Sequence, residues 1–235
     1  MRVLVTRAEP EAGRTAALLA SLGHEPLVAP LLTPEPLPVA SDMAGIAAVA
    51  VTSARTVAFL PDALRRAMRV LPVFAVGERT AAALRDTGIP DVRPADGDID
   101  ALSRLIRSAG LPRGARLLHP GGEDRAGDLA GSLAPEGLAV ISPAVYRMVA
   151  APRLPVAAAK ALAEHRIDAV LHYSPRSARI FADLVTTAGL SGAARQPLHA
   201  CLSPAVAAAL EPLAAPRVIP AGSPDEASLI AVLAT

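Results

Sequence analysis

The sequence VAVTSAR at residues 49–55 decides the fold class, because it reads as a buried strand that leads directly into a helix. The apolar residues suit a short strand, and the hydroxyl residue Ser53 is of a type favoured at helix N-caps. A similar sequence, VLHYSPR, stands at 170–176, and AVGERTAAAL at 75–84 resembles CLSPAVAAAL at 201–210. The chain therefore contains a predicted internal repeat, with two strand–helix pairs in each half.

The same alternation of strand-like and helix-like apolar spacing continues along the chain in both directions. We predict strands at 3–6, 46–51, 73–76, 116–118, 169–172 and 198–202. We predict helices at about 10–22, 54–66, 78–86, 99–108, 124–133, 176–187, 204–213 and 225–233. Alternation on this scale indicates an α/β protein with parallel sheets.

Two proline-marked stretches interrupt the alternation. Residues 26–38 hold five prolines, and the extended run 139–153 contains Pro143 and Pro152. Since proline is excluded from helix interiors and from central strands, we interpret these stretches as paired connectors at about 26–42 and 139–153. This interpretation predicts a discontinuous α/β domain 1 from residues 1–33 and 150–235, with α/β domain 2 inserted at 43–139.

The composition favours a two-domain α/β protein. A length of 235 residues suits two domains, and 52% hydrophobic but only 2% aromatic residues suit parallel strands covered by helices. The net charge of +1 argues against a general nucleic-acid-binding protein. Lys160 is the only lysine, so the other cationic side chains are arginines. A GC-rich genome is the simpler explanation of this bias, although the forked guanidinium also suits carboxylate ligands.

The single cysteine and the short apolar runs predict a cytoplasmic protein without a membrane segment. Cys201 lies in the apolar run 198–202, which indicates a buried strand residue, and a lone cysteine excludes a disulfide within the chain. Residues 1–7 meet a charge too early for the apolar region of a secretory signal. The longest apolar run, 44–51, is too short to span a membrane.

Candidate binding residues follow the predicted strands, because ligands of open parallel sheets bind beyond the carboxyl ends of the strands. Taken singly, the Ser, Thr and Gly residues at these places are explained by helix capping. Taken together, helix N-termini with free N–H groups favour a carboxylate or phosphate ligand. The candidates are Thr6, Arg7, Tyr173, Ser174, Ser203 and residues 52–55, 77–80 and 120–125.

Familiar catalytic signatures are missing from the sequence. The only lysine lies outside any P-loop pattern, PGGE at 120–123 is too short for a dinucleotide fingerprint, and no G-x-S-x-G elbow occurs. The five histidines show no metal-ligand spacing. We therefore expect no cofactor and no metal, and an enzyme of this kind would act through positioning and electrostatics.

An ordered series of short motifs resembles the uroporphyrinogen-III synthase family nearly from end to end. The series consists of VLVTR at 3–7, TSAR at 52–55, AVGERTA at 75–81, GE at 122–123 with VYR at 145–147, and YSPR at 173–176. Two positions depart from the family pattern. The second turn, usually Gly-Pro-x-Thr, reads SPAV at 203–206, so that Val206 lacks the expected hydroxyl, and Gly121 stands where many members have arginine.

The resemblance implies two flavodoxin-like parallel-sheet domains, joined by a two-stranded β connector, with the site in the cleft between them. It also implies a lyase of haem biosynthesis whose substrate is hydroxymethylbilane, a linear tetrapyrrole with eight carboxylates. Loss of the terminal hydroxyl gives an azafulvene, which is attacked at the substituted carbon of ring D. The resulting spiro intermediate fragments and closes again to uroporphyrinogen III, with ring D inverted.

The resemblance assigns roles to ten residues of the chain. Tyr146 is the expected proton donor to the leaving hydroxyl, and packing on the connector is its alternative role. Arginines are the expected carboxylate partners, with a solvated surface position as the alternative for each, and they are Arg7, Arg55 and Arg125. Backbone and hydroxyl donors are expected from Thr52, Ser53, Gly77, Thr80, Ser174 and Ser203.

The expected partner is therefore the small-molecule substrate, without nucleic acid or membrane. We expect a monomer that makes a transient contact with the bilane-forming enzyme. The alternative function is that of a non-catalytic, two-domain cytoplasmic protein that binds an anionic small molecule and acts in regulation.

Overall fold

The structure is a computed structural model that describes residues 1–39, 43–125 and 127–234. Its contacts divide the chain into two compact units. Unit 1 consists of Met1–Thr33 and Val149–Thr235, and unit 2 of Pro34–Met148. Each unit has its own five-stranded parallel sheet with helices on both faces. The predicted α/β class with parallel sheets is confirmed.

The strands of the described residues, in chain order, are β1 (Arg2–Val5), β2 (Glu25–Val28), β3 (Leu32–Pro36), β4 (Ile46–Val51), β5 (Val73–Ala75), β6 (Val92–Pro94), β7 (Arg116–Leu118), β8 (Gly121–Gly122), β9 (Ala139–Ile141), β10 (Ala144–Ala150), β11 (Ala169–His172), β12 (Leu198–Cys201) and β13 (Val218–Pro220). The helices are α1 (Glu11–Ser21), α2 (Ala54–Ala58), α3 (Asp62–Met68), α4 (Glu78–Asp86), α5 (Ile99–Ser108), α6 (Leu129–Leu133), α7 (Val156–Ala163), α8 (Pro175–Thr187), α9 (Ser191–Ala194), α10 (Pro204–Ala208) and α11 (Glu226–Ala231). Short 3-10 helices lie at Ala134–Glu136, Glu211–Leu213 and Val232–Ala234.

In unit 1 the strand order is β13-β12-β11-β1-β2, which is the flavodoxin-like order. Successive residues of β1 point to opposite faces of the sheet. Leu4 packs in one cluster with Phe181 and Val206, whereas Val3 and Val5 pack in another. The first face is covered by α7, α8 and α10, and the second by α1 and α11.

In unit 2 the strand order is β6-β5-β4-β7-β9, again with parallel pairs throughout. Val49 faces a cluster that includes Leu84, and Ala50 faces a second cluster with Phe74 and Leu102. The helices α2, α3 and α4 cover one face, and α5 and α6 cover the other. The strands β3, β10 and β8 form a separate sheet in that order, and β3 and β10 carry the chain from one unit to the other.

The two five-stranded sheets are circular permutations of each other. Matching β4 with β11 and β5 with β12 turns one strand order into the other. The registers agree with this match, because Val49 pairs with Val73 in unit 2 and Val170 pairs with His199 in unit 1. When the repeats are aligned, Val49 corresponds to Val170 and Val73 to His199, so the sequence repeat marks equivalent strands of the two sheets.

Three of the predicted helices are interrupted or begin later than predicted. The predicted helix 54–66 is interrupted at Pro61, whose extended ψ of 148° separates α2 from α3. The predicted helix 204–213 ends as α10 and continues as a 3-10 turn at Glu211–Leu213. The predicted helix 124–133 begins only at Leu129, where Asp128 caps it, and position 126 lies outside the described residues.

The predicted connectors contain two edge strands. β2 occupies part of 26–42 at the edge of the unit 1 sheet, and β9 occupies part of 139–153 at the edge of the unit 2 sheet. Pro26 is compatible with β2 because an edge strand has one unpaired side. Residues 40–42 of the first connector lie outside the described residues. The elements β6, β13, α7 and α9 were not predicted.

Candidate functional site

Each sheet has a switch point at its carboxyl edge, where neighbouring strands lead into helices on opposite faces. In unit 1, α1 follows β1 and packs through Leu19, whereas α8 follows the adjacent β11 and packs on the other face through Phe181. In unit 2, α2 follows β4 and packs through Val57, whereas α6 follows β7 and packs oppositely through Leu133. Open parallel sheets bind ligands at such points.

The switch point of unit 1 holds a polar cluster of four side chains. Arg7 Nη1 donates to Glu226 Oε1 at 2.9 Å and to Thr15 Oγ1 at 3.3 Å. The same Glu226 oxygen accepts the hydroxyls of Thr15 at 2.5 Å and of Tyr173 at 2.9 Å. The Arg7 guanidinium carbon lies 4.0 Å from the centre of the Tyr173 ring. These residues follow β1 and β11, lie in the second turn of α1 and begin α11, so the fold brings them together.

The protonation states of this cluster follow from its contacts. Burial, with a contribution from Glu226, raises the pKa of Tyr173 to about 12, so the phenol stays neutral and can donate. Partial burial tends to raise the pKa of Glu226, but the hydrogen bonds from Thr15 and Tyr173 and the charge of Arg7 outweigh it and hold this pKa below its usual value. Glu226 is therefore a carboxylate at neutral pH.

The predicted hydroxyl donors of unit 1 differ in how they are used. Ser174 caps α8, since its Oγ accepts from Ser177 N at 3.1 Å. Ser203 begins α10 in extended backbone and makes no side-chain capping bond there. Val206, where the resemblance predicts a hydroxyl, is buried in the apolar core. Thr6 is also fully buried and donates to Leu171 O at 2.8 Å, which is a structural bond between strands.

The switch point of unit 2 pairs Thr52 with a histidine that the sequence did not single out. Thr52 Oγ1 lies 3.2 Å from Nε2 of His119, which directly follows β7. His119 is only 6% exposed, and this burial, with the nearby charge of Arg125, lowers its pKa to about 4. The imidazole is therefore neutral at neutral pH. In the sequence, the available signal for His119 is its place directly after a predicted strand. Metal-ligand spacing, by which the histidines were judged, does not reveal this role.

Arg125 is bonded to backbone rather than open to a ligand. Its guanidinium donates to carbonyl oxygens of Gly122 at 2.9 Å, His119 at 3.2 Å, Ser142 at 2.8 Å and Pro143 at 2.7 Å. It also covers Gly121, where a Cβ would lie 3.3 Å from Nε of Arg125. This side chain therefore ties the loop after β7 to the end of β9.

Tyr146 lies in β10 with its ring held on two sides. Its ring centre is 5.1 Å from that of Phe59, and a Cβ at Gly122 would lie 2.9 Å from Tyr146 Cζ and 3.0 Å from its hydroxyl oxygen. The residue is 8% exposed. Among the described residues, none forms a hydrogen bond with the Tyr146 hydroxyl. The ring is fixed, and the hydroxyl has no partner of its own within that part of the chain.

The remaining predicted residues of unit 2 lie at the starts of α2 and α4. Ser53 caps α2 by accepting from the backbone N–H of Arg55 at 3.2 Å, and the Arg55 side chain is half-buried. Gly77 begins α4, and a Cβ there would lie 3.3 Å from the Cα of Gly97. Thr80 is buried in the first turn of α4, and its N–H is bonded to the Gly77 carbonyl. Thr80 therefore shapes this helix start from within.

No group of three or more His, Cys, Asp or Glu side chains within residues 1–39, 43–125 and 127–234 is placed to hold a metal ion. None of the helices in the described part of the chain combines the length and apolar character that a membrane span needs.

Parallel sheets with polar side chains gathered at their switch points define a protein of the doubly wound α/β class, in which ligands bind at carboxyl edges. The family model for uroporphyrinogen-III synthase HemD matches residues 13–231. The chain belongs to the uroporphyrinogen-III synthase family.

Solved structures give the same fold. The chain is similar to the uroporphyrinogen-III synthetase from Helicobacter pylori, with 16% identity, coverage of 100% of this chain and 99% of that chain, and a TM-score of 0.63. It is also similar to a mutant uroporphyrinogen III synthase from the extremely thermophilic bacterium Thermus thermophilus, with 20% identity, coverage of 100% and 97%, and a TM-score of 0.52. No curated protein matches the chain significantly. The predicted family and function are confirmed, and nothing supports the non-catalytic alternative.

Proposed function

We propose that the carboxyl edges of the two sheets hold hydroxymethylbilane while it closes to uroporphyrinogen III with ring D inverted. The observation that carries the proposal is a switch point in each sheet that is rich in hydrogen-bond donors, in a chain of this family. The reaction breaks the terminal C–O bond, releases water and forms a C–C bond between rings A and D, so the enzyme is a lyase. Uncatalysed closure gives the non-inverted isomer, so the protein must control geometry.

Tyr146 is the proposed proton donor to the leaving hydroxyl. Phe59 and Gly122 limit where the ring can lie, which supports a defined position for the phenol oxygen. A hydroxyl that none of the described residues engages is available to a substrate oxygen, and proton transfer to a leaving group is a typical role for a positioned Tyr.

Arg7 and Arg55 are the proposed carboxylate partners, with Thr52, Ser53, Gly77, Ser174 and Ser203 as further donors at the edges. The helix N-termini that begin at Ser53, Gly77, Ser174 and Ser203 offer N–H groups and partial positive charge to carboxylates. Arg125 keeps a place in the proposal as a residue that shapes the edge, because its guanidinium is bonded to backbone carbonyls. Thr80 keeps a similar place because it is buried in the first turn of α4.

His119 joins this set as the partner of Thr52. A neutral imidazole at 3.2 Å limits the orientation of the Thr52 hydroxyl. The hydrogen-bonding positions of the hydroxyl that the imidazole does not use can then bind the substrate. The role is positional, since the imidazole itself is almost fully buried.

The proposal includes no cofactor and no metal, and it keeps the sequence predictions of a cytoplasmic monomer with a transient contact to the bilane-forming enzyme. These predictions are separate from the chemistry. Oligomeric state is measured by light scattering, and contact with the bilane-forming enzyme by co-sedimentation of the two purified proteins.

The deciding experiment supplies enzymatically generated hydroxymethylbilane and separates the uroporphyrin isomers after oxidation. We expect the type III isomer as the main product, at a rate that rises with protein concentration. A protein that binds the product but yields only the type I isomer at the uncatalysed rate would instead be the non-catalytic binding protein.

A further inference from the structure

Glu226 lies at the centre of the Arg7 cluster, yet none of the family motifs includes it. We propose that Glu226, with Thr15 and Tyr173, is a positioning residue that orients the Arg7 guanidinium toward one carboxylate of the substrate. The inference rests on the proposed function and deepens it, because it says how one carboxylate is bound and which residues set that contact.

One oxygen of Glu226 fixes the cluster. Oε1 receives Arg7 Nη1 at 2.9 Å, the Thr15 hydroxyl at 2.5 Å and the Tyr173 hydroxyl at 2.9 Å. Thr15 is fully buried on α1, and Tyr173 follows the central strand β11, so both donors come from rigid elements. The carboxylate oxygen therefore has a defined place, and so does the nitrogen that is bonded to it.

The Tyr173 ring sets the plane of the guanidinium. With Cζ of Arg7 4.0 Å from the ring centre, a cation–π contact covers one face of the group. Among the described residues, none accepts a hydrogen bond from Nε or Nη2 of Arg7, and its side chain is 25% exposed. Two N–H groups on one edge of a guanidinium match the two oxygens of a carboxylate.

Arg125 shows what a purely structural arginine looks like in this chain. Its guanidinium donates four hydrogen bonds to carbonyl oxygens, and burial lowers its pKa. Arg7 differs because, among the residues that the structure describes, it is bonded through one nitrogen and stacked on one face, and nothing there covers the rest of its guanidinium. Since Glu226 also cancels the charge of Arg7, its contribution is orientation rather than long-range attraction.

A double-mutant cycle tests this inference with hydroxymethylbilane as the substrate. Glu226→Gln should raise KM about fivefold and change kcat less than about twofold, because the bond to a charged partner is weakened while the chemistry is untouched. Arg7→Ala should raise KM more than about tenfold. The double variant should behave like Arg7→Ala alone, because Glu226 acts through Arg7.

Two further variants separate positioning from general stability. Tyr173→Phe keeps the ring under Arg7 but removes one donor to Glu226, so it should raise KM in the same direction with a smaller change. Glu11→Gln breaks the ion pair with Arg14 on α1, outside the cluster, and should leave KM unchanged. Urea unfolding of each variant identifies any loss of folding.

Equal KM increases from Glu226→Gln with and without Arg7 would overturn the inference, since Glu226 would then act independently. Equilibrium binding of uroporphyrinogen III, kept reduced, gives a second readout that needs no turnover. Suppose that the wild type binds this octacarboxylate and that the variants show the same coupling in binding, but that the wild type forms no type III isomer. The proposed function then fails, and the role of Glu226 stands. If the wild type forms type III without coupling between the two residues, or binds no octacarboxylate, the role of Glu226 is wrong.

Discussion

At the scale of single residues, the polar groups of the site divide into those bonded within the protein and those left open. Arg125 belongs to the first group, and its guanidinium ties the loop after β7 to the end of β9. The Tyr146 hydroxyl and two nitrogens of Arg7 belong to the second group. A preorganised donor that has no partner in the described part of the chain requires little reorganisation when substrate arrives, which is how electrostatic catalysis operates.

Tyr146→Phe tests the proposed proton donor. We expect turnover to fall at least about tenfold, since general-acid assistance is worth roughly 10²–10⁴-fold, while the free energy of unfolding changes little because the ring still packs on Phe59. Steady-state rates and urea unfolding are the measurements. Near-normal turnover in the Phe variant would remove Tyr146 from the chemistry.

Gly122→Ala tests whether the position of that ring matters. The new methyl group would lie 2.9 Å from Tyr146 Cζ, so the ring must shift, and we expect kcat to fall about tenfold or more through misplacement of the phenol. Gly192→Ala is the matched control, because a Cβ there meets nothing within 4 Å. Equal activity of the two variants would mean that the ring position is not critical.

At the scale of elements, the sequence predicted the strands that are buried on both faces and missed the short ones at the edges. The strands β4, β7 and β11 and the helices α4 and α5 have the predicted bounds, because buried apolar runs and capping residues mark them. β2, β6 and β13 contain proline and lie at sheet edges, where local patterns are weak. Glu226 and Thr15 were missed because a contact between residues 211 positions apart leaves no local signal.

The adjacent strands β11 and β12 carry a buried histidine pair that makes stability depend on pH. His172 Nε2 lies 3.0 Å from His199 Nδ1, and His199 Nε2 lies 2.8 Å from Ala194 O. Within residues 1–39, 43–125 and 127–234, His172 Nδ1 has no hydrogen-bond partner. Burial lowers the pKa of both groups, with the charge of His199 adding for His172. The neutral pair is consistent with one tautomer, in which His199 donates to Ala194 and His172 donates to His199.

The free energy of unfolding should therefore fall in acid. Above the unfolded-state pKa of about 6.5 both states are neutral and stability is unaffected, whereas below it only the unfolded chain binds protons. Each group then contributes a loss of up to about 1.4 kcal/mol per pH unit until its folded-state pKa is reached. Urea unfolding between pH 7.5 and 4.5 measures this slope, and His172→Leu should reduce it.

His165→Asn is the control for that series. His165 is exposed, and its φ of 51° is tolerated by Asn, so the variant removes a histidine that lies outside the buried pair. Equal slopes for His172→Leu and the wild type would mean that the pair does not titrate on unfolding.

At the scale of the whole molecule, the permuted sheets place different groups at equivalent positions. Leu4 pairs with Val170 and Leu118 with Val49, so Arg7 is level with Gly121 in the repeat. The resemblance to the family predicts an arginine at position 121, where this chain has Gly, and the guanidinium of Arg125 lies over that place. Of these two equivalent positions, Arg7 is therefore the one that has a guanidinium to bind a carboxylate, and the predictions for Arg7 depend on that group.

Each unit has its own sheet and two hydrophobic clusters, so we predict that unit 1 folds without unit 2. The tested chain joins residues 1–33 to 149–235 through a short Gly-Ser linker. Such a linker can close the gap because Ala151 N donates to Leu31 O at 2.9 Å, which brings the two ends together.

We expect the linked chain to show a cooperative urea transition and the far-UV spectrum of an α/β protein, with no synthase activity because Tyr146 is absent. Leu4→Asp in the same chain is the control, since an unpaired charge in the core should abolish folding. A linked chain that unfolds without cooperativity, like the Leu4→Asp control, would show that unit 1 depends on the inserted unit for its stability.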